Sequence, residues 1–164
     1  MIDFDLLFAG TTTAPARDFV AKVLIGAGAD RIWMPCVGRF AVLTCLVELG
    51  YPKERIYASD ISLFSSLIGY LADPDKDIDG MPWRVLPASE WAFAGAETPF
   101  DKAAGAMLVV KLAQIPARNL YQLSLRREIM SRAGHYRQHI SDQLKAVAER
   151  LRGIHYDVMD VRDV

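Results

Sequence analysis

Residues 32–60 constrain the fold of this chain more than any other part of the sequence. The run 31–34 predicts a strand, and a turn over 35–38 follows it. Residues 39–49 predict a buried helix, since they are apolar on nearly every side, and residues 55–59 predict a second strand that ends at Asp60. Such a βαβ unit is right-handed in nearly all proteins, which places its two strands parallel in one sheet. The sequence therefore predicts an α/β fold.

Gly38 and Asp60 mark the ends of these two strands and indicate a ligand site there. Open α/β sheets bind ligands at the carboxyl ends of their strands. Gly38 lets the backbone approach a ligand closely. Asp60 follows it at roughly the 20-residue spacing at which a carboxylate accepts hydrogen bonds from ribose hydroxyls. A second interpretation stays open, because Ser59-Asp60 before a helix is also a good helix cap.

The number and position of the glycines indicate the type of cofactor. The turn after the first strand contains one glycine, Gly38, and the pair Gly26 and Gly28 follows a helix instead of a strand. The fingerprint that binds the pyrophosphate of a dinucleotide is therefore absent. A cofactor with a ribose and no pyrophosphate fits better, and we expect S-adenosylmethionine.

Two stretches now carry a resemblance to a known family. Met34-Pro-Cys-Val-Gly-Arg-Phe40 and Tyr57-Ala-Ser-Asp-Ile-Ser62 resemble the cofactor-binding stretch of adenine-N6 DNA methyltransferases of the DNA adenine methylase type, where Pro-Phe-x-Gly-x-Gly precedes a strand ending in Asp-Ile-Asn. Pro15-Ala-Arg17 with Lys22 is similar to the upstream Arg-Tyr-x-Gly-Gly-Lys segment. Residues 156–161 resemble the strand and turn just ahead of the catalytic motif.

The resemblance implies a Rossmann-like methyltransferase sheet with an inserted or appended helical region. It implies cofactor contacts at the strand ends, made by Pro35, Cys36, Gly38, Asp60, Ile61 and Asp160. It also divides the chain into a cofactor-binding α/β portion over 1–99, a helical region for DNA recognition over 100–152, and a return strand within 153–164.

The chain departs from the family pattern at several positions. Cys36 stands where the family has phenylalanine, and Phe40 stands where it has the second glycine. The side chain of Phe40 either fills the cofactor pocket or points inward as the first core residue of the helix. The Asp-Pro-Pro-Tyr type of catalytic motif, which holds a flipped adenine, does not occur in these 164 residues. No catalytic residue is therefore assigned, and catalysis would need a polypeptide segment supplied after residue 164 or by a partner.

Residues 118–152 are basic on an otherwise acidic chain. They hold eight basic residues against three acidic ones, and seven of the eight are arginine, which suits bidentate contacts to phosphate. A solvated helix face explains the charge equally well. The residues that we expect to contact DNA are Arg118, Arg126, Arg127, Arg132 and Arg137.

Further elements complete the expected organisation. Helices are predicted over 15–26, 61–71, 100–114, 118–132 and 136–152, and strands over 4–8 and 154–159. No metal site is predicted. The stretch 73–80 is expected to be an exposed acidic loop, and it lacks the glycine and glutamate positions of a calcium loop. His135 and His139, four residues apart, are better explained as polar surface or phosphate-facing groups than as a metal pair.

Composition limits the class of protein. With 52% hydrophobic and 24% charged residues the chain can bury a core, and two cysteines cannot form a disulfide framework. The acidic start and the absence of a long apolar run predict a cytoplasmic protein of a bacterial or phage-infected cell, with no membrane partner. The function expected is that of an S-adenosylmethionine-dependent DNA adenine-N6 methyltransferase-like protein, incomplete in its catalytic motif. The alternative is a non-catalytic module of the same fold that binds DNA or protein, of phage or mobile-element origin.

Overall fold

The computed structural model describes residues 12–160, which contain three β-strands and six α-helices. The strands are β1 (Ile32–Pro35), β2 (Ile56–Ser59) and β3 (His155–Asp157). The helices are α1 (Ala14–Gly26), α2 (Ala41–Glu48), α3 (Leu63–Ala72), α4 (Pro99–Gln114), α5 (Leu120–Ser131) and α6 (Ala133–Leu151). Short 3-10 helices cover Lys53–Arg55, Ile78–Gly80 and Pro87–Ala92. The strand predicted over 4–8 lies outside the described residues.

The three strands form one parallel sheet in the order β1-β2-β3. This confirms the predicted βαβ unit, with α2 as the connection between β1 and β2. The mixed α/β class is likewise confirmed, while a complete Rossmann-like sheet remains a prediction. The chain continues past the carboxyl ends of all three strands at one edge of the sheet. That edge is where ligands of parallel α/β sheets bind.

The two faces of the sheet carry different side chains, because successive residues of a strand point to opposite faces. Met34, Ala58 and Tyr156 are aligned across the strands, and α3 packs against β2 and β3. Helix α3 is apolar almost all round, and seven of its ten residues are buried. These buried side chains therefore hold α3 against β2 and β3.

The chain divides into two compact units, and the described parts of each have their own core. The sheet unit comprises 12–77 and 146–160 and holds the sheet with α1, α2 and α3. The helical unit, Ile78–Lys145, holds α4, α5 and most of α6. Within the helical unit, α4 begins with a capping box in which Thr98 Oγ1 accepts the Asp101 N–H and the Asp101 carboxylate accepts the Thr98 N–H.

The acidic stretch 73–80 is largely exposed, as the sequence predicts, but its first residue is an exception. The Asp73 side chain is buried, and its carboxylate accepts the N–H groups of Tyr156 at 2.7 Å and of Asp75 at 2.9 Å. A buried carboxylate is stable only when its oxygens are hydrogen-bonded, and these two bonds supply that. Asp73 therefore joins the end of α3 to β3 instead of facing solvent.

Candidate functional site

Asp60 follows the central strand, β2, at the carboxyl edge, and its side chain contacts the turn that contains Gly38. One carboxylate oxygen, Oδ2, accepts the N–H of Gly38 at 2.9 Å, and the other, Oδ1, accepts the N–H of Ser62 at 2.8 Å. The first bond ties the turn after β1 to the end of β2, and the second orders the residues before α3. Each carboxylate oxygen has a second lone pair, so both can still accept a hydroxyl donor from a ligand.

Tyr156 holds the backbone of Asp60 in position through a hydrogen bond. Its hydroxyl donates to the Asp60 carbonyl oxygen at 2.8 Å and lies 3.1 Å from Ser66 Oγ. Burial raises the pKa of this hydroxyl above its ordinary value, so it stays protonated and remains a donor at physiological pH. The ring lies against Gly69 of α3, where a Cβ atom would overlap it. The position of the Asp60 backbone thus depends on a close fit between β3 and α3.

The turn after β1 has the backbone of a glycine-rich loop, although it holds only one glycine. Cys36 (φ 54°), Gly38 (φ 53°) and Phe40 (φ 62°) all adopt the left-handed conformation. That conformation costs a residue with a Cβ about 1–2 kcal/mol. Phe40 occupies it at the position where the methyltransferase pattern has its second glycine. The unusual backbone is therefore retained while the glycine itself is replaced.

Phe40 points inward and does not fill the ligand edge. Its side chain is fully buried and its ring packs against that of Tyr156, with the ring centroids 5.9 Å apart. The predicted helix over 39–49 accordingly begins two residues later, at Ala41, because a left-handed residue cannot continue a right-handed helix. Of the two placements that the sequence left open, the structure has the core placement.

The other predicted cofactor residues lie at the same edge. Pro35 ends β1, the Cys36 thiol is exposed in the turn, and Ile61 keeps 63% of its surface exposed beside Asp60. Asp160 follows β3 by three residues and is half-buried. The structure brings Gly38 and Asp60 into direct contact. It also identifies Tyr156 and Ser66, which the sequence did not single out because their roles depend on contacts 96 and 90 residues apart.

Two of the five predicted DNA-binding arginines hold backbone carbonyls of the helical unit. Arg126 Nη1 donates to the carbonyls of Leu112 at 2.7 Å and Ile115 at 2.8 Å, at the end of α4. Arg137 Nη1 donates to the carbonyls of Ala92 at 3.2 Å and Ala94 at 2.6 Å. Carbonyls at helix ends have no partner within their helix, so Arg126 acts as a cap for α4.

The other three predicted arginines are exposed. Arg118 lies just before α5, Arg127 lies within it, and Arg132 ends it, with its guanidinium 3.6 Å from the Glu128 carboxylate. The same helix exposes Leu120 and Tyr121 in its first turn, which charge patterning had not singled out. These exposed groups give α5 and its two ends an accessible basic surface.

The fold and this edge define a parallel α/β protein with a glycine turn and an acid at adjoining strand ends. The chain belongs to the family described as Phage DNA Adenine Methylase-like domain 1, whose profile matches residues 8–164. It is thus related to the methyltransferases that modify DNA, as the resemblance of the two stretches around Gly38 and Asp60 predicts. No curated protein and no solved structure matches the chain.

Among the described residues, each helix is either too short or too polar to cross a bilayer.

Proposed function

We propose that this protein is the S-adenosylmethionine-binding part of a DNA adenine-N6 methyltransferase-like protein. The observation that carries the proposal is the Asp60 carboxylate at the end of β2, held by the N–H groups of Gly38 and Ser62. Both oxygens keep a lone pair for the two ribose hydroxyls of the cofactor. Membership of the phage DNA adenine methylase-like family supports the choice of cofactor.

The neighbouring residues suit the rest of the cofactor. Gly38 leaves open space where a side chain would stand, since nothing lies within 4 Å of its missing Cβ. The exposed side chain of Ile61 gives an apolar wall for the adenine ring. Pro35 and Cys36 would line the amino-acid part of the cofactor, and Asp160 would accept a hydrogen bond from the adenine amine.

Asp60→Asn is expected to weaken binding of S-adenosylhomocysteine at least tenfold in a calorimetric titration. The asparagine amide nitrogen cannot accept a hydroxyl hydrogen bond, and a hydrogen bond to a charged group contributes about 1.5–3 kcal/mol. Ile61→Ala tests the same site without touching the Asp60 bonds, and we expect a weaker affinity with an unchanged melting temperature.

Asp30→Asn is the matched control, because this aspartate is on the same unit and its side chain is 99% exposed. It should bind like the wild type. Equal affinity of the Asp60→Asn, Ile61→Ala and wild-type proteins would contradict the proposed site.

The proposed DNA contacts lie on the exposed arginines of the helical unit, within the region 100–152 that we assign to DNA recognition. The exposed side chains of Arg118, Arg127 and Arg132 would contact DNA phosphates. Arg126 and Arg137 each have Nη1 bonded to backbone carbonyls, so they would act indirectly, by holding the DNA-binding surface in shape. A protein of a phage family that acts on DNA would work in the cytoplasm of the infected cell.

We expect the double variant Arg118→Ala/Arg127→Ala to bind double-stranded DNA at least fivefold more weakly. A plot of log affinity against log salt concentration has a negative slope, and each lost phosphate contact makes it less steep by about 1. The magnitude of the slope should therefore decrease by about 2 in this variant. Fluorescence anisotropy with a labelled DNA duplex, at salt concentrations from about 50 to 200 mM, measures both the affinity and the slope.

Arg55→Ala/Arg84→Ala removes the same charge outside the basic segment and is the control. An equal loss in this control would show that net charge alone matters. Salt-independent DNA binding by the wild type would contradict a phosphate-contacting surface.

A second function has its own support in the sequence. The Asp-Pro-Pro-Tyr type of catalytic motif does not occur in these 164 residues. This favours a non-catalytic module that keeps the methyltransferase fold and binds DNA or protein. A folded wild-type chain that binds DNA but gives no heat with S-adenosylhomocysteine would favour this function over the first. Under the first function, a partner polypeptide would supply the Asp-Pro-Pro-Tyr type of motif.

A further inference from the structure

A group of metal-ligating side chains lies in the sheet unit, apart from the Asp60 edge. Asp73, Asp75 and His155 each place one ligand atom within 4.8 Å of the other two. Asp73 and Asp75 follow the end of α3, and His155 begins β3, so the group lies by the first residue of β3 and not beyond its last. It is therefore separate from the site proposed for the cofactor.

Two of the three side chains are held in place by the fold. The Asp73 carboxylate is buried and oriented by the N–H groups of Tyr156 and Asp75, which leaves one lone pair on each of its oxygens. The His155 ring stacks on Tyr57, with centroids 4.7 Å apart and an interplanar angle of 22°. Asp75 is exposed and can rotate toward the other two.

The donor set selects the kind of ion. One imidazole nitrogen with two carboxylates is typical of zinc and of other late first-row divalent metals, whereas magnesium and calcium prefer oxygen ligands alone. Ligands at about 2.0–2.1 Å from a tetrahedral zinc lie roughly 3.3 Å apart, so the three atoms need to close by about 1.5 Å or less. Because Asp75 is exposed, rotation of its side chain can shorten its distances to the other two ligand atoms.

The charges around the group are compatible with a cation. Two carboxylates and a neutral imidazole balance a divalent ion. The nearest basic group in the sequence, Lys76, donates from Nζ to the Asp157 carboxylate at 3.2 Å and lies over the Tyr70 ring.

We propose that Asp73, Asp75 and His155 form a zinc site. The donors come from both chain segments of the sheet unit, the one that ends at residue 77 and the one that begins at residue 146. A bound zinc would therefore join the two segments and stabilise the sheet unit by binding the native state alone. This role does not depend on methyl transfer or on the proposed cofactor site.

The experiment is a calorimetric titration of the purified chain with zinc chloride, accompanied by melting curves with and without zinc. We expect 1:1 binding and a higher melting temperature with zinc. His155→Gln and Asp75→Asn should each weaken binding at least tenfold and abolish the rise. Asp73 is left unchanged, because its carboxylate is needed for the fold. Magnesium chloride should give at least tenfold weaker binding than zinc.

Two control variants separate this site from other zinc ligands on the chain. His135→Gln/His139→Gln removes the histidine pair of α6, and Cys36→Ser removes the exposed thiol; both should bind zinc like the wild type. Loss of the 1:1 binding in either control would overturn the proposal. So would full zinc affinity in His155→Gln and Asp75→Asn, or no zinc binding by the wild type.

Discussion

Gly69→Ala is expected to lower the free energy of unfolding by about 3 kcal/mol or to prevent folding. Gly69 is inside α3, so helix propensity alone predicts a gain of about 1 kcal/mol from alanine. The structure predicts the opposite sign, because a Cβ at this position would overlap the ring of the buried Tyr156. Urea unfolding followed by circular dichroism measures the difference.

Two further variants make this prediction specific. Gly134→Ala, in α6, has nothing within 4 Å of its Cβ and should leave stability unchanged or slightly higher. The double variant Gly69→Ala/Tyr156→Leu should be more stable than the sum of its single variants predicts, since the smaller side chain removes the overlap. A Gly69→Ala protein as stable as the wild type would contradict the packing of Tyr156 on α3.

Phe40 gives the second large effect. Phe40→Ala is expected to cost about 3–5 kcal/mol, because the ring is fully buried against Tyr156. Phe40→Gly should be about 1 kcal/mol more stable than Phe40→Ala, although it removes one more methyl group. Glycine adopts the left-handed backbone of this position without the strain that a Cβ imposes. Chemical unfolding of the two variants side by side gives the order.

Leu43 supplies the matched control for that order. It is equally buried but lies within α2, where the backbone is right-handed. There alanine should be more stable than glycine by about 1 kcal/mol, which is the reverse of the order at Phe40. If glycine is also the less stable variant at position 40, the left-handed conformation of Phe40 is contradicted.

The sequence predicted the elements whose signals are local. Apolar periodicity and the glycine turn sufficed for β1, α2 and β2, and the order of these elements required a parallel pair. The sequence predicted that Asp60 and Gly38 lie close together, because the carboxyl ends of parallel strands meet at one edge of the sheet. It did not predict the hydrogen bond between them. Family membership agrees with the resemblance that the same stretch carries.

Features that depend on distant contacts were outside the reach of the sequence. The Asp73 carboxylate looked like part of a solvated acidic loop, because its partner, the N–H of Tyr156, comes 83 residues later. Arg126 and Arg137 counted equally with other cations, since charge does not reveal that a guanidinium holds a backbone carbonyl. The sequence could not decide whether Phe40 points into the pocket or into the core, because its ring packs against Tyr156, which is distant in the sequence.

The carboxyl edge of the sheet, at Gly38 and Asp60, is the proposed binding site for S-adenosylmethionine. The most direct test is a titration of the ¹⁵N-labelled protein with S-adenosylhomocysteine, followed by amide chemical shifts. We predict that the largest shifts occur at Gly38, Asp60, Ile61 and Asp160, while α5 is unaffected. Shifts confined to the helical unit, or none at a saturating concentration, would contradict the claim.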